Sequence, residues 1–181
     1  GTFNLITSTS DITDGGYYVF VGGGTVNAMA SSAVSSASAS TAALGHVALS
    51  TWSSTATVIV DPAVGIVWRI DATTANWKIY NEAGSIYIGA TAANGVIRST
   101  AATATVLHWS FASTANRFRA VNIGAASSRT LYYNSGTPRF AAYSSAQTTF
   151  QLFKMVATPS ITLADNGTVA AANVTTGSVN Q

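Results

Sequence analysis

The amino-acid sequence predicts an all-β domain of three pseudo-repeats of about 40 residues with an extended C-terminal tail, and three observations carry that reading. The first is a period. Trp68-Arg69-Ile70, Trp109-Ser110-Phe111 and Phe150-Gln151-Leu152 stand 41 residues apart. The second is that Trp77-Lys78-Ile79-Tyr80-Asn81 returns at the same step as Phe118-Arg119-Ala120-Val121-Asn122, with Tyr87-Ile88-Gly89 answered by Thr130-Leu131-Tyr132 a little later. The third is texture: short alternating apolar runs are separated by Gly-, Asn- and Ser-rich turns, and no 3.6-residue period appears. Self-similarity at a fixed period marks one supersecondary unit copied along the chain.

The repeats are placed at about 17–70, 77–111 and 118–154, within a domain over 1–157. The first copy is the most degraded. Tyr18-Val19-Phe20 precedes Ala28-Met29-Ala30 as Trp77 precedes Tyr87, but extra length then separates Ala30 from Trp68. That excess is assigned to an inserted surface loop over about 30–45, whose Ala, Ser and Thr residues offer little to anchor a core. Three such units match a β-trefoil, whereas a propeller needs at least four blades. Trp68, Trp109, Phe150, Trp77 and Phe118 are the expected inward anchors.

Composition agrees. The 181 residues suffice for one domain with a substantial core. Charged residues make up 8%, against roughly 25% in an average soluble domain. Four Trp, seven Tyr and seven Phe nevertheless supply core anchors, so the chain is not read as disordered. The absence of Cys removes disulfides and thiolate metal sites together. No apolar run is long enough to cross a bilayer as a helix, and the N-terminal residues lack the basic and apolar regions of a signal peptide.

In chain order, residues 2–9 alternate as a strand, Asp11 to Gly16 make a turn, and Tyr17 to Val21 form the next strand. Gly22-Gly23-Gly24 reads as a hairpin or bulge rather than a phosphate loop, because no Lys and no helix follow. His46–Trp52 and Thr57–Val60 are expected strands, with Asp61-Pro62 starting a turn. Within the repeats, turns are expected at 81–84, 93–95, 112–116, 124–128 and 134–136. Pro159 ends the repeats. Residues 158–181 carry no aromatic residue and read as an extended tail or the first strand of a following domain.

Chemistry is scarce. The acids are Asp11, Asp14, Asp61, Asp71, Glu82 and Asp165, and the histidines are His46 and His108. None of them has metal-ligand spacing, no Ser lies in Gly-x-Ser-x-Gly, and no acid accompanies the aromatic cluster of the third copy. The expectation is therefore no enzyme, no metal and no cofactor. Charge is lopsided: residues 1–82 hold five acids against Arg69 and Lys78, whereas 83–164 hold Arg98, Arg117, Arg119, Arg129, Arg139 and Lys154 without an acid. This is too sparse for a nucleic-acid footprint, and neither nucleic acid nor membrane is an expected partner.

The third copy, Arg129-Thr130-Leu131-Tyr132-Tyr133-Asn134 with Pro138-Arg139-Phe140-Ala141-Ala142-Tyr143 and Phe150-Gln151-Leu152-Phe153-Lys154, resembles a β-trefoil-like module of large secreted or cell-surface proteins of Bacteroidetes-type bacteria. The tail from Pro159 resembles the first strands of an Ig-like repeat. The resemblance implies an extracellular or cell-surface place and a binding or adhesion role. Ricin-type lectin trefoils mark each sugar site with an Asp and a Gln-x-Trp; Gln151-Leu152-Phe153 is the nearest string here and lacks the Trp, so no lectin site is carried over.

Two functions follow as expectations. One is a non-catalytic extracellular module for a glycan or surface polymer, with Arg129, Tyr133, Arg139, Tyr143 and Tyr80 as ligand-binding candidates and Trp77, Tyr87 and Tyr132 as further aromatic faces. Arginine forks favour anionic groups, which points to an acidic polysaccharide. Alternation implies that Trp77 and Ile79 face in, that Lys78 and Tyr80 face out, and that Tyr132 and Tyr133 are not both inside. The other function is a structural subunit of an extracellular filament that self-associates through residues 160–181, where Ile161 and Leu163 alternate on a strand without a local partner.

Overall fold

The computed structural model describes residues 1–34, 42–90, 94–124 and 129–156. Among them the alternating runs become fourteen strands and three single turns of 3-10 helix, with no α-helix. The strands are β1 (Thr2–Leu5), β2 (Gly16–Gly22), β3 (Asn27–Val34), β4 (Ala43–Ala48), β5 (Val58–Val60), β6 (Val67–Ala72) and β7 (Trp77–Asn81). They continue as β8 (Ile86–Gly89), β9 (Ile97–Ser99), β10 (Trp109–Thr114), β11 (Arg117–Asn122), β12 (Arg129–Asn134), β13 (Arg139–Tyr143) and β14 (Phe150–Met155).

Six strands close a barrel. β2 pairs with β6, β6 with β7, β7 with β10, β10 with β11, β11 with β14, and β14 returns to β2. Between the first and last barrel strand of each repeat stands a hairpin: β3–β4, β8–β9 or β12–β13. The hairpins meet at one end. Phe140 registers with Leu44, Val96 N donates to the Ala42 carbonyl at 2.9 Å, and Gly95 and Ala142 exchange backbone bonds of 3.0 and 3.1 Å. A closed six-stranded barrel capped by three hairpins is a β-trefoil, as the period predicts.

One aromatic pair joins the first and last strand of every repeat: Tyr18 stands opposite Trp68, Trp77 opposite Trp109, and Phe118 opposite Phe150. Trp68, Trp109, Phe118 and Phe150 are wholly buried. Trp77 is only partly buried and packs against the core from the rim, because it opens β7 beside the turn from β6. The indoles are also tied down by hydrogen bonds. Trp68 Nε1 donates to the Met29 carbonyl at 2.9 Å and Trp109 Nε1 to the Ile88 carbonyl at 2.8 Å, so neither buried N–H lacks an acceptor. Asn81 and Asn122 repeat a second device, donating through Nδ2 to the Val67 carbonyl at 2.9 Å and the Val106 carbonyl at 2.6 Å.

A second core lies outside the barrel. β1 pairs with β14 and with β5, and Phe3 and Ile59 from these added strands cluster with Val19, Val21, Ala28 and Phe153. β2 is therefore buried on both faces, which accounts for its continuous apolar run Tyr17 to Val21.

Two expectations change. The insertion assigned to 30–45 is strand at both ends, since β3 runs to Val34 and β4 begins at Ala43, and Leu44 is a wholly buried core residue. Its small side chains permit a bulged register between Met29 and Ala33 and a close approach: a Cβ on Gly45 would stand 2.6 Å from Ser32 Oγ. The turn expected over 112–116 is also shorter. β10 continues to Thr114, opposite Arg117, and only Ala115 and Asn116 reverse the chain, with Ala115 at φ 52°. The tail assigned to 158–181 lies outside the described residues.

Removing one indole tests the barrel device. Trp109→Ala leaves a cavity and frees the Ile88 carbonyl, so stability is expected to fall by about 3–5 kcal/mol in urea unfolding. An unchanged midpoint would overturn the core assignment.

Candidate functional site

Near-threefold symmetry sets three equivalent rows of residues across neighbouring strands. On β6, β7, β8 and β9 the row is Arg69, Tyr80, Tyr87 and Ser99. One repeat later, on β10 to β13, it is Ser110, Val121, Thr130 and Tyr143. On β14, β2, β3 and β4 it is Gln151, Val21, Ala28 and Val47, of which the first three are buried. Only the first row carries a cation between aromatic rings, and Tyr17 on β2 extends it by standing opposite Arg69.

That row is held rigidly. The Arg69 guanidinium grips Asp71 through Nε at 2.7 Å and Nη2 at 3.0 Å, while Nη1 reaches Glu82 Oε1 at 2.7 Å. It lies 5.0 Å from the Tyr80 ring centroid, and the Tyr80 and Tyr87 rings stand 4.5 Å apart at 37°. The Tyr17 hydroxyl donates to the same Glu82 oxygen at 2.8 Å. Hydrogen bonding to Asp71 comes first among the causes that raise the Arg69 pKa, with the carboxylate charges adding to it, so the guanidinium is a permanent cation. The Glu82 side chain remains 49% exposed. The result is a partly exposed aromatic platform flanked by fixed donors and acceptors. A sugar ring can use both, because its C–H face packs on an aromatic plane and its hydroxyls exchange hydrogen bonds with the polar rim.

Of the residues expected to bind, Arg129, Arg139 and Tyr143 stay together on the β12–β13 hairpin, whereas Tyr80 and Tyr133 lie elsewhere. Tyr80 belongs to this platform. Tyr133 does not form part of any ligand face: it is 1% exposed in the barrel core, with Asn27 Nδ2 donating to its hydroxyl at 2.6 Å. Leu131 and Tyr133 share a side of β12, and a Cβ on Gly22 would lie 2.6 Å from the Tyr133 ring, so the phenol fills the space this glycine leaves. Tyr132 is buried too, against the expectation that only one of the two would be inside. The inserted strands supply the reason, since Ala43 and Val34 cover the outer side of the hairpin where Tyr132, Ala141 and Tyr143 cluster. Arg139 Nε donates to the Tyr143 hydroxyl at 3.2 Å, and Arg129 Nη1 to Asn94 Oδ1 at 2.8 Å. Arg69, Asp71, Glu82 and Tyr17 were absent from the expected set. The 41-residue step carried the signal, for it aligns Arg69 with Ser110 and Gln151, two uncharged residues.

No family model and no curated protein matches the sequence. Solved structures do share its fold. The BEL β-trefoil aligns with a TM-score of 0.58 at 12% identity, covering 83% of this chain and 100% of that one. A Polyporus squamosus lectin, solved with the human-type influenza-binding epitope Neu5Acα2-6Galβ1-4GlcNAc, gives 0.56 at 13% identity over 78% of this chain and 50% of the lectin. A GlcNAcα1-4Gal releasing endo-β-galactosidase from Clostridium perfringens gives 0.54 at 11% identity, over 78% of this chain and 33% of the enzyme. The chain thus spans a third of the length of the galactosidase and half that of the lectin. At such identities the likeness establishes the β-trefoil fold.

The platform makes a titration prediction. Donation to Glu82 is the largest cause raising the Tyr17 pKa above its ordinary 10.0, because a phenolate would face that carboxylate. A raised folded-state pKa means that Tyr17 stabilises the fold below about pH 10 and loses this contribution as pH rises through the folded value. In an alkaline absorbance titration, Glu82→Gln is expected to move one late tyrosine to lower pH, and Tyr17→Phe to delete it. A curve unchanged by Glu82→Gln would reject the bond.

Proposed function

We propose that this domain is a non-catalytic carbohydrate-binding module of a secreted or cell-surface protein, and that it holds a sugar ring on Tyr80 and Tyr87. One observation carries the reading. Of three rows made equivalent by the fold, one is charged and aromatic at positions where Ser, Val and Thr serve the same fold elsewhere, so its composition is not a folding requirement. Fixed hydrogen bonds around Arg69 favour binding further, because a preorganised rim loses little freedom when a ligand arrives. The carbohydrate-directed names of two structural neighbours support the same class of ligand. Asp71 and Glu82 both spend oxygens on Arg69, an arrangement that favours recognition over acid–base work. The filament alternative rests on the tail and has no observation in its favour among the described residues.

The test is a glycan array followed by calorimetry on the hits. Tyr80→Ala and Tyr87→Ala should each weaken binding tenfold or more, about 1.4 kcal/mol, with little change in melting temperature. Thr130→Ala, at the position equivalent to Tyr87, should bind like the parent. Undiminished binding in the Tyr80→Ala/Tyr87→Ala double variant would sink the site. Hydrolysis of a bound glycan, abolished by Asp71→Asn, would sink the non-catalytic reading.

A further inference from the structure

The end of the β10–β11 hairpin is a second place where charge is concentrated, and unlike Arg69 its cations have no counter-charge among the described residues. Asp71 and Glu82 take the guanidinium of Arg69, Asp14 Oδ1 accepts the Ala72 amide at 2.7 Å, and Asp11 caps the turn after β1. Among the described residues no ion pair reaches Arg117 or Arg119, and neither side chain makes a hydrogen bond. Cross-strand register puts Arg117 opposite Thr114 and Arg119 opposite Ala112, so the two arginines share one face of the hairpin. With Ser113 and Thr149 these residues line a depression of about 150 Å³.

The equivalent hairpin one repeat earlier is informative. There Lys78 stands opposite Asp71, and Asn76 occupies the position of Arg117. Where the earlier hairpin has Asp71, Lys78 and Asn76, the later one has Ala112, Arg119 and Arg117. Arg117 is also seated. A Cβ on Gly23 would lie 2.0 Å from Arg117 Nη1 and 2.6 Å from the Thr149 carbonyl oxygen, so the guanidinium occupies space that only glycine leaves open. Gly23 N donates to that same Thr149 carbonyl at 2.9 Å, which fixes the slot. A half-buried guanidinium with five donors and no acceptor among the described residues is costly unless a ligand or solvent satisfies it.

From this geometry we infer an oxyanion-binding cradle, built by Arg117 and Arg119 with Thr114 and Thr149, and, resting on the carbohydrate-binding reading for the carrier, we assign it a sulfate group borne on a polysaccharide. Two planar forks match a tetrahedral oxyanion through paired N–H bonds, and the flanking hydroxyls add donors. The cradle is independent of the Tyr80–Tyr87 platform and would stand if that site failed.

The test uses the whole chain with three probes at constant ionic strength: inorganic sulfate, dextran sulfate and neutral dextran. The wild type should bind dextran sulfate and not neutral dextran. Arg117→Gln/Arg119→Gln should weaken that binding tenfold or more, while Arg129→Gln, equal in charge change to either single substitution, should leave it within about twofold. Arg117→Lys keeps the charge but loses the fork, and should bind less well than the wild type. Tyr80→Ala should not alter sulfate binding, which separates failure of this cradle from failure of the platform. Binding of dextran sulfate left intact in the double variant, or reduced equally by Arg129→Gln, would overturn the proposal. So would a response to inorganic sulfate alone, which would assign the cradle to a free ion rather than to a polymer.

Discussion

Closing six strands into a barrel leaves an interior that side chains alone can fill, and this constraint governs the rest of the molecule. Three cross-strand aromatic pairs meet it, one to a repeat, and the indole N–H groups of Trp68 and Trp109 reach across to the neighbouring hairpins. Each such bond fixes the height of a hairpin relative to the barrel while satisfying a buried donor. Phe150 fills the same position without an N–H. In its repeat the hairpin is instead held by Tyr133, whose ring lies against Gly22 and whose hydroxyl accepts from Asn27. Packing is kept in all three repeats although the polar anchor differs.

What could be read from the sequence follows the same division. The barrel was legible because its interior positions recur at a constant step and admit only large side chains, so Trp68, Trp109 and Phe150 announce themselves. Leu44 was hidden, since it stands alone in a run of Ala, Ser and Thr and its burial depends on Phe140, nearly a hundred residues away in sequence. The parity of β12 is written in the repeat. Leu131 is the counterpart of Ile88 and Met29, both of which face inward, so Tyr133 had to face inward as well.

The candidate site was only half legible for a different reason. Tyr80 could be placed on the outer face by alternation from Ile79. Its partners could not, because Arg69, Tyr80 and Tyr87 become neighbours only when the register of two successive strand pairs is fixed. Asp71 and Glu82 looked like isolated acids in sequence, and one guanidinium gathers both. A site assembled across strands is spelled at intervals set by hairpin length, and a short motif cannot reveal it.

The three outer rows show how a repeated scaffold comes to have one distinguished face. The strands β1 and β5 cover the row through Val21 and Ala28, which adds a second core and removes that surface from solvent. The extended β3–β4 hairpin brings Val34 and Ala43 against Tyr132 and Tyr143, closing part of the next row. Both additions belong to the beginning of the chain or to the enlarged first repeat, so the elements that break the symmetry come from one end of the sequence. The row through Arg69, Tyr80 and Tyr87 is left without such a cover among the described residues. Charge is concentrated there, in side chains tied to one another by hydrogen bonds, where the barrel beneath needs none of it to close.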